Sequence, residues 1–181
     1  MSLGSDRSLV DQIDSLITGF VAPERARAIA REYPTVIDSI AEWIRCSAVQ
    51  ENWRRVERLA NLAAPLDAPG LGAVLCELVD RDVSGLNVED LVEILGEIGA
   101  ASSGVAIFRM LERRIASDGP AYWLSQKAIL ALGEFGTVES DGFLRKMTGK
   151  DWPDPVRWHS AVALGVEDDL GFDEDQMLGS S

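Results

Sequence analysis

Ile129-Leu130-Ala131-Leu132-Gly133 has three counterparts elsewhere in the chain. Leu59-Ala60-Asn61-Leu62-Ala63 stands 33 residues before Val92-Glu93-Ile94-Leu95-Gly96, which stands 37 before Ile129. Ala161-Val162-Ala163-Leu164-Gly165 follows after 32 more. After each of the first three comes a short break rich in Gly, Pro or Ser, then a second helical pattern, beginning near Leu71, Val105 and Ser140. The inner faces of these second helices are Val74/Leu75/Leu78, Phe108/Leu111/Ile115 and Phe143/Leu144/Met147. A recurrence of about 30 to 40 residues with one helical hairpin per unit is the pattern of an α-solenoid. A lone hairpin leaves its apolar face bare, so such units stack and share one core.

Upstream the spacing stays helical. Leu9, Ile13, Leu16, Ile17 and Phe20 fall at steps of three and four, as one buried stripe requires, and Ser8 with Asp11 resembles a capping box at its start. Helices are predicted over 24–33, over 35–46 with Thr35 as its cap, and over 50–63. No segment alternates apolar and polar residues as a half-buried strand does. The chain is therefore predicted to be all-α.

A length of 181 residues suits one domain, and 46% hydrophobic with 26% charged residues excludes wholesale disorder. The formal net charge of −13 disfavours broad contact with nucleic-acid backbones or anionic lipid. No run approaches the ~18 apolar residues that a membrane helix needs. The polar start shows no secretory signal, and Cys46 and Cys76 cannot build a disulfide framework. A cytoplasmic protein is expected, with both thiols buried as small hydrophobes.

Two stretches resemble HEAT repeats, particularly the short bacterial kind of phycobilisome-lyase-like repeat proteins. One is Asp154-Pro155-Val156-Arg157-Trp158-His159-Ser160-Ala161-Val162-Ala163-Leu164-Gly165. The other is Ala128-Ile129-Leu130-Ala131-Leu132-Gly133-Glu134-Phe135-Gly136, echoed by Leu95-Gly96-Glu97-Ile98-Gly99. In this pattern Asp154 would cap a helix with Pro155 in its first turn, small residues would let helices approach closely, and glycine would permit close contact or reversal. The resemblance spans 59–165 and implies a short right-handed α-α superhelix of HEAT-like hairpins. The expected organisation is a single helical domain over 1–170, with N-terminal helices over 1–50, hairpins over 51–165, and an acidic, flexible tail over 166–181. Two departures stand out. Only the last unit keeps the valine-arginine pair, Val156-Arg157, and that unit lacks a convincing second helix.

Chemistry-bearing motifs are sparse. Asp80-Arg81-Asp82-Val83-Ser84-Gly85 opens like a calcium loop, but its twelfth position is Leu91, where a bidentate glutamate is required, so it reads as a turn. His159 is the only imidazole, which excludes metal sites needing two histidines and places it at the surface or in a cap. Neither Gly70-Leu71-Gly72 nor Gly149-Lys150 completes a nucleotide loop. No catalytic residue, metal ligand or cofactor is expected. Trp123, Trp152 and Trp158 sit at the unit junctions, either filling the core or anchoring a partner. The second helices with their ends carry seven basic residues, Arg109, Arg113, Arg145 and Lys146 among them, against six acids. That ridge would line a mildly basic groove or be ordinary surface charge.

The resulting expectation is a non-enzymatic protein-binding module, with a basic protein partner such as a toxin that it would inhibit as an immunity protein does. Its contacts would come from the three tryptophans, His159 and the basic ridge. The alternatives that the resemblance implies are a bilin- or small-ligand-handling protein of the lyase-like kind and, further off, a HEAT-like DNA-repair glycosylase. Neither a membrane nor nucleic acid is an expected partner.

Overall fold

The structure, a computed structural model, describes residues 3–19 and 21–178, with side chains from Ser8 onward. Helix makes up 74% of it, and no strand is present among the described residues. The α-helices are α1 (Leu3–Leu16), α2 (Pro23–Glu32), α3 (Thr35–Val49), α4 (Trp53–Ala63), α5 (Leu71–Arg81), α6 (Val88–Glu97), α7 (Gly104–Asp118), α8 (Trp123–Phe135), α9 (Val138–Met147), α10 (Asp154–Leu164) and α11 (Glu174–Met177). Short 3-10 turns at Ala64–Leu66 and Ala101–Ser103 follow α4 and α6.

Helices two apart in the chain lie side by side. α4 touches α6, α6 touches α8 and α8 touches α10; α3, α5, α7 and α9 form a second row in the same way. Between the rows, α3 packs on α4, α5 on α6, α7 on α8 and α9 on α10. Of the hairpins expected from the sequence, α4 with α5 and α8 with α9 are also in contact. α6 and α7, which the sequence places in one hairpin, meet mainly through the turn Ala101–Ser103. α10 packs on α8 and α9, and the short α11 follows and packs against α10 in turn.

The repeated segments form the inner side of the first row. Leu59, Leu62, Val92, Leu95, Ile129 and Leu132 are buried within one core that runs from Val10 to Val156, and Ala161 is buried as well. Close approach between neighbouring helices depends on small residues. A methyl group added at Gly96 would sit 3.0 Å from Ala131 Cβ and 3.1 Å from its Cα, and one at Gly133 would sit 3.6 Å from Ala163 Cβ. Gly165, at φ +64, takes the left-handed conformation that ends α10.

Several boundaries differ from expectation for local reasons. α1 begins before Ser8, so Ser8 and Asp11 lie inside the helix and make no capping box. Ile13 and Ile17 are buried and Leu9 and Leu16 half-buried, while Phe20 lies outside the described residues. Thr35 and Asp154 are first helical residues, not caps; Pro34 and Pro153 precede them. α4 starts at Trp53 because the Asn52 side chain accepts the Arg55 N–H at 3.2 Å. α9 starts at Val138 through a reciprocal box in which Thr137 Oγ1 accepts from Ser140 N–H and Ser140 Oγ from Thr137 N–H, both at 3.1 Å. The segment expected as a flexible tail carries turns and α11, which packs on α10; the Arg157 guanidinium lies 5.0 Å from the Phe172 ring centre.

Gly142, inside α9, has open space where a Cβ would stand. Gly142→Ala is expected to raise stability by roughly 0.5–1 kcal/mol through helix propensity. Gly96→Ala gains the same local term but meets the Ala131 backbone, and is expected to lower stability by about 1–2 kcal/mol. Urea denaturation of both variants checks this; equal gains would mean that α6 and α8 stand further apart.

Candidate functional site

On α4, Arg54, Arg58 and Asn61 recur at steps of four and three, so their side chains share one face. On α6, Asp90, Glu93 and Glu97 recur at steps of three and four and form a row of carboxylates. Between these faces and the α1–α2 connection lies a cavity of about 990 Å³, open to solvent along one side.

Its wall is built on an ion network that joins α1 to α4. Asp14, only 7% exposed, accepts through Oδ2 from Arg55 Nε at 3.1 Å and from Arg58 Nη2 at 2.6 Å, and Arg55 Nη2 also donates to Asp11 at 2.8 Å. The buried Oδ1 of Asp14 and Nε of Arg58 have no hydrogen-bond partner. Glu57 accepts the Asn87 N–H at 2.8 Å, which ties the α5–α6 connection to α4. Glu93 holds Lys127 of α8 at 2.6 Å and raises the pKa of that ammonium above its ordinary value. Arg54, Asp90 and Glu97 make no ion pair among the described residues.

The residues singled out in the sequence divide between the two rows. Arg109 and Arg113 lie on α7, and Arg145 and Lys146 on α9; Trp123 lies on α8, and Trp158 and His159 on α10. Trp152, between α9 and α10, is half-buried with its ring centre 6.0 Å from that of Phe108, which stacks on Phe143 at 4.6 Å. Lys146 Nζ lies 5.4 and 5.6 Å from those two phenylalanine rings. Trp152 therefore fills the α7–α9 junction.

Arg113 donates to Asp82 at 3.3 Å and to the Asp80 carbonyl at 3.0 Å, and Arg114 also binds the Asp82 carboxylate. Two guanidiniums thus occupy the carboxylate that a calcium loop would need, and the Asp80–Gly85 segment is a clamped turn. Arg109 and Arg145 are exposed. Trp123 is 63% exposed and Leu130 65%, seven residues apart on the same face of α8, with Val162 of α10 exposed at 44%.

The expectation of two buried thiols fails. Cys46 is exposed and Cys76 half-buried, because Cys76 lies at the edge of the buried α5 stripe of Leu71, Val74, Leu75 and Leu78. Both thiol pKa values are pushed up, chiefly by desolvation, which suppresses the reactive thiolate. Among the described residues no group of three or more His, Cys, Asp or Glu side chains is placed to hold a metal ion.

His159 is half-buried, and desolvation lowers its pKa below the ordinary 6.5, partly opposed by the Glu174 carboxylate. A folded-state pKa below the unfolded one means that the unfolded chain binds the proton more readily. The His159 contribution is thus fully present above about pH 6.5 and is lost as pH falls through the depressed folded value. Subtracting the His159→Gln stability profile from that of the parent between pH 7 and pH 5 is expected to leave a decline toward acid; a flat difference would contradict the desolvated placement. Comparison with protein-family models, curated proteins and solved structures finds no match for the chain.

Proposed function

We propose that the chain is a non-enzymatic protein-binding module built on a HEAT-like stack of helical hairpins, with a basic protein as its partner. The observation that carries the proposal is the exposed apolar row on α8, where Trp123 and Leu130 stand on one face at 63% and 65% exposure. A lone exposed apolar side chain needs no explanation, but a tryptophan and a leucine in register, with Val162 of α10 also open, have the composition of a contact anchor. The neighbouring Glu93–Lys127 pair supplies a charged rim.

The HEAT-like scaffold is supported by the side-by-side packing of helices two apart and by the small residues at Gly96–Ala131 and Gly133–Ala163. A basic partner is supported by the net charge of −13, since opposite charge speeds encounter. The binding role leaves Trp152 and Arg113 as scaffold and retains Trp123 as the anchor.

A photo-cross-linking amino acid placed at Leu130, with Glu139 of the other row as control position, tests the proposal in the native cell. One recurrent protein adduct at position 130, weaker at 139 and suppressed by high salt, is expected. Equal adduct patterns at both positions, or an acidic protein as the dominant adduct, would contradict it.

A further inference from the structure

Taking the binding role proposed above as its basis, we infer that the outer face of α8 and α10 seats an amphipathic helix of the partner. The apolar stripe of that helix lies on Trp123, Leu130 and Val162, and its flanks carry lysine or arginine.

The seat is a shallow valley between two helices. α8 and α10 meet where Gly133 faces Ala163, and at that point Gly133 is half-exposed and Ala163 exposed. Two small residues at the surface keep the line between the helices low. Leu130, one turn before Gly133, and Val162, next to Ala163, border it as exposed apolar side chains. The ridge of a third helix settles into such a line. Trp123 and Leu130 are seven residues apart, two turns or about 10 Å along α8. A helix lying along α8 returns its own apolar residues at the same interval, as helix-in-groove recognition requires. An added strand has no edge to extend, since the described residues contain no strand.

Charge selects the flanks. Lys127 and Arg157 are the only lysine or arginine on α6, α8, α10 and the segment after α10. Lys127 is held by Glu93 at 2.6 Å. Arg157 donates to the Thr148 carbonyl and to Asp154 and lies against the Phe172 ring. On one side of the valley α6 exposes Glu93 and Glu97, and Glu134 Oε2 of α8 lies 3.1 Å from the position of a Cβ at Gly96. On the other side α11, packed on α10, exposes Glu174 and Asp175. The apolar row thus runs between two acidic borders whose own cations are already engaged. An acidic helix is repelled from both borders, and a second copy of this chain, at a net charge of −13, is disfavoured in the same way.

The probe is a fluorescent helical peptide of about 18 residues made of leucine, lysine and glutamine, with all leucines on one face. One control has the same composition with the leucines scattered around the helix, and the other has glutamate in place of lysine. Each is titrated with the full chain and read by anisotropy at about 0.15 M salt. Only the first is expected to bind. Trp123→Ser with Leu130→Ser is expected to weaken that binding about tenfold or more, whereas Val138→Ser, which removes an exposed apolar residue from α9, changes it less than about twofold. Glu97→Gln with Glu134→Gln is expected to weaken it about threefold and to flatten its salt dependence. Circular dichroism verifies that the variants keep the parent helix content. Equal binding of the scattered-leucine peptide, equal effects of the α8 pair and Val138→Ser, or no binding at all would overturn the inference. Peptide failure with one basic adduct still captured at position 130 removes the helical occupant and leaves the binding role. Peptide binding as expected without a recurrent adduct at that position supports the seat and removes the role proposed for it in the cell.

Discussion

The distance of closest approach between neighbouring helices of the same row governs the whole molecule. α6 meets α8 where Gly96 faces Ala131, and α8 meets α10 where Gly133 faces Ala163. At these points the backbones come close enough that the leucines and isoleucines on either side interdigitate instead of standing apart. Dispersion falls off steeply with small gaps, so a side chain interposed at either contact would loosen the packing along both helices. The result is one shared core, in which Leu59, Leu95, Leu132 and Val156 belong to a single buried body.

Much of the fold was legible because the controlling signals are local and repeated. Apolar residues at steps of three and four mark the helices, and the leucine-glycine recurrence marks the first row. Which consecutive helices pack closely was not legible, because the breaks before Leu71, Val88, Gly104 and Trp123 are all short and contain Gly with Pro or Ser. Which helices pack closely is decided by the tertiary placement of α3, α5 and α7, not by loop chemistry. Caps show the same division. Asn52 and Thr137 act as caps, yet Ser8, Thr35 and Asp154 carry equally suitable side chains and do not.

The candidate site was less legible than the fold. Trp123 was identifiable as a large apolar residue at a junction, but nothing in its neighbourhood of sequence separates it from Trp152, which packs against Phe108. The cavity between α4 and α6 was hidden for a different reason. Asp14 meets Arg55 and Arg58 across 41 and 44 residues, a pairing that no local pattern announces. The one available hint was the row of Asp90, Glu93 and Glu97 at helical spacing, which on its own resembles any solvated face. The basic ridge illustrates the converse error, since Arg113 and Arg114 are engaged with Asp82 and act mainly to hold α7 against the end of α5.

The central claim, that successive first-row helices touch at their small residues, has a direct covalent test. The position of a Cβ at Gly133 lies 3.6 Å from the Ala163 Cβ, within the separation a disulfide requires. In a background with Cys46→Ser and Cys76→Ser, Gly133→Cys with Ala163→Cys is predicted to form an intramolecular disulfide under mild oxidation, with helix content unchanged and the midpoint of thermal unfolding raised. A pair that stays reduced in the folded protein, or oxidises only after unfolding, would show that α8 and α10 are not neighbours.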